Sequence, residues 1–177
     1  MPVSVFDSRV LYAVLVTVVA AQRLGELVLS ARHQRLLLAR GGVEVGAAHY
    51  PWMVLLHATF LPACVLEVWA LRRPLVLPLA VAMGGLLAGA MALRFWSIGT
   101  LRERWCVRVI VLPGAPLCTS GPYRFLRHPN YLAVVVELAA LPLLHTAWLT
   151  ALVFSAANSA LLAVRIRVEE NALAGAR

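Results

Sequence analysis

The chain has 177 residues, of which 62% are hydrophobic and 14% are charged, and its mean hydropathy is +0.82. The hydrophobic share and the mean hydropathy lie well above those of soluble globular domains, and the charged share lies below, so lipid is predicted to surround most of the protein. All sixteen basic residues are arginine, and the net charge of +8 is explained by arginines at a membrane surface, so no nucleic-acid partner is needed. The arginine, alanine, valine and leucine usage is typical of a GC-rich bacterial genome.

The transmembrane segments are predicted from apolar windows, which are 10–30, 52–71, 75–96 and 131–164. A helix that crosses the hydrocarbon core needs about 20 residues, so each of the first three windows predicts one helix. Pro142 and the His145-Thr146 pair divide the last window into two short helices joined by a tight turn. The windows lack the alternation of a barrel. The predicted fold is therefore an all-α integral membrane protein with five transmembrane helices, of which the last two form a hairpin.

The orientation of these helices follows from the arginines in the segments between them. With five spans, twelve arginines fall on one side and three on the other. The arginine-rich side is predicted to be cytoplasmic, with the N-terminus outside and the C-terminus inside a bacterial cytoplasmic membrane. The twelve are Arg32, Arg35, Arg40, Arg94, Arg102, Arg104, Arg108, Arg124, Arg127, Arg165, Arg167 and Arg177, and the three are Arg9, Arg72 and Arg73.

Ionisable residues inside the predicted spans are candidates for structure or for substrate binding. Arg23 and Glu26 lie three residues apart on one face of the first span, and His57 and Glu67 lie in the second. Such groups are costly at membrane depth and face a partner or a wet cavity. Arg23 and Glu26 form a mutual ion pair or line a substrate cavity, and both alternatives stay open. We take Glu26 and His57 as candidate substrate-binding residues.

The longest polar stretch, residues 97–120, connects the third and fourth spans. It is too polar to cross the membrane and too short to be a domain, and its mixture of arginine, Trp105 and apolar residues predicts an interfacial helix or ribbon. Cys106 and Cys118 lie in this connector, and Cys64 lies in a span. Three cysteines with no close pair predict free thiols, so no metal site is expected.

Two polar motifs flank the last hairpin, at 121–131 and at 165–170. Because a hairpin brings its two ends to one face of the membrane, the motifs should meet in a polar cavity on the cytoplasmic side. Such a cavity can hold a charged cofactor while an apolar substrate arrives from the lipid. Arg165 and Glu169 are four residues apart, so they share one helix face.

These motifs resemble the signature of the isoprenylcysteine carboxyl methyltransferase family, which in this half is similar to phospholipid methyltransferases. The matching elements are Gly-Pro-Tyr-Arg at 121–124, Arg-His-Pro-x-Tyr at 127–131, and Arg165 with the paired acids Glu169 and Glu170. Their order and spacing agree over roughly residues 85–173.

The N-terminal half resembles a bacterial subgroup associated with type III polyketide synthases. The resemblance rests on Glu26, on Gly-Gly-Val-Glu at 41–44, on residues 49–57 and on Arg-Glu-Arg-Trp at 102–105. Members of that subgroup methylate a hydroxyl of long-chain alkylpyrones or alkylresorcinols. The resemblance therefore implies a functional link to a polyketide synthase.

The resemblance implies that S-adenosylmethionine binds to the C-terminal helices and the connector. Among the residues that the resemblance implies for cofactor binding, an arginine can pair with the cofactor carboxylate in a two-pronged contact. Tyrosines can cover the adenine or ribose. The histidine can donate a hydrogen bond to the cofactor, the proline fixes the turn that opens the fourth span, and the glutamate can bind the amino group or ribose hydroxyls. The implied cofactor-binding residues are Leu117, Tyr123, Arg124, Arg127, His128, Pro129, Tyr131 and Glu170.

Arg165 and Glu169 are the candidate catalytic residues. Arg165 can stabilise an anionic oxygen, and Glu169 can orient that arginine or accept the proton of a neutral hydroxyl. A surface ion pair between the two is the structural alternative. The expected reaction is methyl transfer from S-adenosylmethionine to an oxygen of a lipophilic substrate drawn from the bilayer, either an alkylpyrone or alkylresorcinol hydroxyl or a prenylcysteine-like carboxylate.

Other functions remain open on the sequence alone. One alternative is a phospholipid N-methyltransferase, and another is a non-catalytic haem- or quinone-binding membrane protein with His57 at its centre. The expected organisation is a single domain over 1–177. Spans within 1–74 form its substrate side, and 75–177 form its cofactor-binding and catalytic half.

Overall fold

The computed structural model describes residues 8–175, which form five α-helices and one small sheet. Four of the helices are long and apolar enough to span a bilayer, and the fourth helix, with 15 residues, is shorter. The structure thus fits a membrane protein. The count of five spans and the cytoplasmic location of the pocket stay predictions. The helices are α1 (Ser8–Ala39), α2 (Tyr50–Ala70), α3 (Leu77–Leu101), α4 (Pro129–Leu143) and α5 (Trp148–Gly175).

The last hairpin differs from the predicted pair of short helices. The turn lies where Pro142 and His145 predicted it, because α4 ends at Leu143 and α5 begins at Trp148. However, α5 has 28 residues and is almost twice as long as α4. The reason is that α5 continues without interruption through the Arg165–Glu170 motif, so these charged residues lie on a rigid helix.

A two-stranded antiparallel ribbon joins the two halves of the chain and is added to the predicted all-α architecture. Strand β1 (Val43–Val45) pairs with β2 (Val109–Val111) of the connector. Both strands are rich in β-branched valine, which favours extended backbone. Gly42 permits their approach, because a Cβ there would lie 2.9 Å from Ile110 Cγ2. Of the two predicted forms of the connector, the ribbon is the one observed.

Tight packing between the helices fills the interior of the bundle. The core contains Tyr12 of α1, Phe60 of α2 and Leu141 of α4, each at most 2% exposed. The Tyr12 hydroxyl donates to the Leu141 carbonyl at 3.1 Å, and the rings of Phe60 and Phe154 are 5.4 Å apart. Because lipid tails are as apolar as the core, such packing and polar bonds, rather than the hydrophobic effect, hold the helices together.

Four charged side chains form a buried ion cluster that joins α1, α3 and α4. Arg23 donates to Glu26 at 2.6 Å and also bonds Glu137 of α4. Arg94 donates to Glu137 at 2.9 Å and to Glu26 at 3.3 Å. The predicted pair of Arg23 and Glu26 is therefore real but is half of a larger cluster. Arg94, which the sequence assigned to a loop, is 6% exposed in α3 because Glu137 and Glu26 compensate its charge.

Glu67 connects the end of α2 to the start of α5. Its carboxylate accepts hydrogen bonds from the backbone amides of Thr150 at 2.6 Å and Leu149 at 3.2 Å. The same carboxylate accepts from Arg73 Nε at 2.9 Å. The first amides of a helix have no partner within the helix, and the positive end of the helix dipole favours an anion. Glu67 thus caps α5 from a neighbouring helix and is structural.

Replacing Glu67 should destabilise the folded protein. Glu67→Ala removes two amide bonds and leaves Arg73 without its partner, so we expect the midpoint of thermal unfolding in detergent to fall by about 5 °C or more. Glu67→Gln keeps acceptor oxygens and should lose less. Glu103→Ala is the control, since Glu103 forms an exposed pair with Arg40 and should change the midpoint little. Equal midpoints for Glu67→Ala and Glu103→Ala would contradict the capping role.

The membrane orientation can be tested at both ends of the bundle. Ser8 lies 3.2 Å from His145, and Thr146 donates to the Pro74 carbonyl, so the start of α1 and the two tight turns share one end. Among the described residues, ten of the twelve arginines counted above fall at the opposite end, since Arg94 lies within α3. A reporter fused after Arg177, which lies outside the described residues, should be cytoplasmic, and one inserted after Arg73 should be external. The opposite result would overturn the orientation.

Candidate functional site

Arg165 is the centre of the candidate site, and its guanidinium binds three other segments. The side chain comes from α5, and the residue is 4% exposed. Nε donates to the Tyr131 hydroxyl of α4 at 2.7 Å, and Nη1 donates to Met53 Sδ of α2 at 3.0 Å. Nη2 donates to the Val107 carbonyl of the connector. The guanidinium is therefore fixed in position where α2, α4, α5 and the connector meet.

The Tyr131 hydroxyl lies between the two predicted catalytic residues. It accepts from Arg165 and donates to Glu169 Oε2. Arg165 and Glu169 share a helix face as expected, but within residues 8–175 no ion pair joins them. The alternative of a simple surface ion pair is therefore wrong, because the tyrosine separates the two charges and Arg165 is buried. We refer to Arg165, Tyr131 and Glu169 as the Arg-Tyr-Glu site.

A second group of predicted residues lies next to Tyr131, on the more exposed side. The His128 ring stacks on the Tyr131 ring, with centroids 5.1 Å apart and planes 10° from parallel. His128 Nε2 lies 3.4 Å from Glu170 Oε1, and Arg127 Nη1 lies 3.8 Å from the same oxygen. The Arg127 side chain is 88% exposed. These residues form a solvent-facing surface of mixed charge that continues from the Arg-Tyr-Glu site.

Tyr123 is also close to the site. Burial raises the pKa of its hydroxyl above the ordinary value, and the nearby Cys118 and Glu169 raise this pKa further. The hydroxyl is thus neutral near pH 7. The turn that carries Tyr123 depends on Gly121, whose φ of +55° favours glycine and whose position against Thr100 leaves no room for a Cβ.

Other predicted site residues lie outside this group. Leu117 is 42% exposed in the connector, and the Arg124 guanidinium lies 5.8 Å from the Phe125 ring centroid. Pro129 is the buried first residue of α4 and opens that helix as predicted. Glu26 belongs to the ion cluster, and His57 Nδ1 bonds the Met53 carbonyl one turn earlier in α2. A role in binding substrate stays a prediction for Glu26 and His57.

The structure also reveals contributors that the sequence did not suggest. Arg108 donates to Glu44 at 2.5 Å and covers the Tyr50 ring at 4.2 Å, and it thereby ties the connector to β1 and the start of α2. The hydrogen bond to Glu44 raises the pKa of Arg108. Met53 and Val107, which bind Arg165, carry no local sequence signal, because an apolar thioether and a backbone carbonyl are recognisable only after folding.

A narrow cleft of about 100 Å³ opens beside the Arg-Tyr-Glu site. Its walls come from α5, from Tyr131 and from the connector. Since pockets that enclose a drug-sized ligand typically have about 300–1,000 Å³, this cleft has room only for reacting groups. Its lining includes Leu101, Arg104, Cys106, Arg108, Val109, Ile110, Val111, Tyr131, Arg165, Glu169 and Leu173.

Comparison with known proteins identifies the family. The sequence profile of the isoprenylcysteine carboxyl methyltransferase (ICMT) family matches residues 81–175. The chain belongs to this family. It is also 31% identical to the uncharacterized protein YpbQ of Bacillus subtilis (strain 168) over 92% of this chain and 96% of that protein. It is 33% identical to an uncharacterized protein of Haemophilus influenzae, over 88% and 90% of the two chains. No solved structure matches the chain significantly.

The ICMT family is one of membrane methyltransferases, and the chain is a member. The matched segment contains the Arg-Tyr-Glu site. The match begins inside α3 and includes α4 and α5. Met53 and β1 precede it, although Met53 contacts Arg165 and β1 pairs with the connector. The matched segment thus holds the Arg-Tyr-Glu site, and the N-terminal half completes its surroundings.

Proposed function

We propose that the protein transfers a methyl group from S-adenosylmethionine to an oxygen of a lipophilic substrate at the cytoplasmic face of a bacterial membrane. The observation that carries this proposal is the buried guanidinium of Arg165, held beside Tyr131 and Glu169 at the mouth of the helix bundle. The acceptor is the hydroxyl of a long-chain alkylpyrone or alkylresorcinol, or a prenylcysteine-like carboxylate. For the first class, a polyketide synthase supplies the acceptor.

The residues beside Tyr131 fit the chemistry of S-adenosylmethionine. The cofactor carries a carboxylate, an ammonium group and flat rings, and the surface formed by Arg127, His128 and Glu170 offers a cation, an aromatic ring and an anion. The cleft is too small to enclose the whole cofactor, so its larger part would lie on this open surface. When bound, S-adenosylmethionine supplies an electrophilic methyl group.

Arg165 has the free donors that an anionic oxygen requires. A guanidinium has five N–H groups, and the contacts with Tyr131, Met53 and Val107 use three of them. Two N–H groups remain for an oxygen of the acceptor. Since the guanidinium is already fixed by its neighbours, little entropy is lost when the acceptor binds. Arg165 can therefore align the oxygen and stabilise its negative charge.

Glu169 can remove the proton of a neutral hydroxyl. Its Oε2 accepts from Tyr131, and Oε1 has no hydrogen-bond partner in the described part of the chain. An oxygen bound to Arg165 would thus have a carboxylate acceptor nearby. Arg165 is buried, so little water competes with the acceptor for its guanidinium.

The charge of the site favours an oxygen acceptor over an amine. A fixed guanidinium stabilises an oxyanion but repels a protonated amine, so Arg165 opposes the phospholipid N-methyltransferase alternative. The non-catalytic haem- or quinone-binding alternative has no support from the family, which is one of methyltransferases.

The role of Arg165 predicts a loss of turnover without a loss of cofactor affinity. Arg165→Lys keeps a charge but loses the planar fork, so methyl transfer to a long-chain alkylresorcinol should fall by about a hundredfold or more. Glu169→Gln should also slow the reaction. The affinity for S-adenosylhomocysteine, measured by calorimetry, should stay near that of the wild type.

Arg167→Lys is the matched control for Arg165→Lys, because Arg167 is exposed two residues further along the same helix. It should leave turnover unchanged. Full turnover in folded Arg165→Lys and Glu169→Gln would remove both residues from the reaction.

Binding of the cofactor should depend on the surface beside Tyr131. His128→Ala and Glu170→Ala each remove one polar group from this surface, so S-adenosylhomocysteine should bind about tenfold more weakly to each variant. Asn171→Ala changes the exposed neighbour of Glu170 and is the control. Wild-type affinity in both His128→Ala and Glu170→Ala would place the cofactor elsewhere.

A further inference from the structure

The outer face of α1 carries an open groove that the Arg-Tyr-Glu site does not use. The groove has a volume of about 510 Å³, and no residue of another element in the described chain lines it. Its residues recur at intervals of three and four, so they follow one face of the helix. We call this surface the α1 groove, and it is lined by Val28, Ala31, Arg32, Arg35 and Leu36.

The length of α1 places this groove at the edge of the hydrocarbon core. A helix of 32 residues is about 48 Å long, whereas the hydrocarbon core of a bilayer is about 30 Å thick. Because α1 begins at the end of the bundle with the two tight turns, about 20 residues bring it to the opposite edge, near Val28. Arg32 and Arg35 lie about 6 and 10 Å further along, which is the depth of the lipid headgroups.

Arg32 and Arg35 have no counter-ion within the described chain. Both are exposed, and within residues 8–175 neither forms an ion pair or a side-chain hydrogen bond. The chain has eight acidic residues, and all but Asp7 are described. Each described carboxylate is already engaged. Glu26 and Glu137 belong to the ion cluster, Glu67 pairs with Arg73, Glu44 with Arg108 and Glu103 with Arg40, Glu169 binds Tyr131, and Glu170 lies against His128.

We propose that the α1 groove binds one anionic phospholipid. Arg32 and Arg35 are three residues apart on the helix, so their guanidinium groups can hold one phosphate from two sides. The acyl chain follows Val28 and Leu24, which are 72% and 64% exposed and lie one turn apart on the way into the hydrocarbon. A phospholipid with a choline headgroup fits less well, because the two arginines repel its cation.

The charges also favour a lipid over a second copy of this chain. A symmetric contact between the α1 grooves of two copies would bring four arginines together, and like charges repel. The described carboxylates of the second copy are engaged as well, so they offer no compensation. The headgroups of an anionic leaflet, in contrast, attract each arginine at this depth.

The other side of the same helical turns holds the connector. Ser30 Oγ accepts from the Val107 amide at 2.9 Å, and His33 Nδ1 donates to the Trp105 carbonyl at 2.8 Å. The Val107 carbonyl in turn accepts from Arg165. A lipid that holds this end of α1 therefore steadies the segment that positions Arg165. This role does not depend on which acceptor the protein methylates.

The test adds lipid to the full chain purified in an uncharged detergent. Dioleoyl phosphatidylglycerol should raise the thermal midpoint by about 3 °C more than the same amount of dioleoyl phosphatidylcholine, because a ligand of the folded state stabilises it. The double variant Arg32→Gln/Arg35→Gln should lose this difference but keep the midpoint of the wild type without lipid, since both side chains are exposed. Arg102→Gln/Arg167→Gln is the matched control, because it removes the same charge from two exposed arginines at the same end, and it should keep the difference.

Two further measurements locate the bound lipid. Native mass spectrometry should show one phosphatidylglycerol retained by the wild type, and the affinity should fall by about tenfold or more in Arg32→Gln/Arg35→Gln. Phosphatidylglycerol should also slow hydrogen exchange of the amides at 105–107 in the wild type but not in this variant. Unchanged exchange in the wild type would overturn the support of the connector.

Three results would overturn the lipid site. The first is an equal effect of the two lipids on the wild type, or an equal effect of phosphatidylglycerol on the wild type and Arg32→Gln/Arg35→Gln. The second is equal stabilisation by inorganic phosphate, which would make the arginines a site for free anions. The third is a wild-type dimer that dissociates in Arg32→Gln/Arg35→Gln, which would assign the α1 groove to a second copy of the chain.

Discussion

The guanidinium of Arg165 determines how α2, α4, α5 and the connector are assembled. It binds Tyr131 of α4, Met53 of α2 and the Val107 carbonyl, so these three segments and α5 must be in place before its N–H groups find their partners. A buried charge that loses a partner is strongly destabilising. The site therefore forms only when the bundle and the connector are both folded. The same contacts fix the guanidinium before a substrate arrives, and a fixed donor is what stabilisation of a developing charge requires.

Further from the site, polar contacts rather than the hydrophobic effect hold the helices together and fix their arrangement. The ion cluster pairs Arg23 and Arg94 with Glu26 and Glu137, and the four charges cancel. Glu67 adds a connection between α2 and α5 at the other end of the bundle. Because such bonds are directional, they specify which helix faces meet, whereas apolar contacts among lipid-like side chains do not. This arrangement of the helices positions Tyr131 and Arg165.

Sequence patterns predicted the structural features that depend on residues close together in the chain. The apolar windows located the helices, Pro142 located the hairpin turn, and the spacing of Arg165 and Glu169 placed them on one face. A ribbon was one of the two predicted forms of the connector, but its partner strand was missed because each strand has three residues and the partner of Val43 is Val111, far along the chain. Such a pairing has no short-range signal.

The ion cluster was half predicted for a related reason. Arg23 and Glu26 are neighbours on one helix, so their spacing is visible in the sequence. Glu137 lies in an apolar window of another helix, and Arg94 lies near the end of a window, where it resembled a loop arginine. Only the packing of α1, α3 and α4 brings these four residues together.

The division of the chain suggests how the protein separates reaction from substrate choice. The segment matched by the family profile, 81–175, holds Arg165, Tyr131 and Glu169, to which the proposed function assigns the work on the acceptor oxygen. Met53 and His57 precede this segment and lie one turn apart on α2, and Met53 contacts the Arg165 guanidinium. Changes in α2 can therefore alter the part of the acceptor that is recognised while the reacting atoms stay in place.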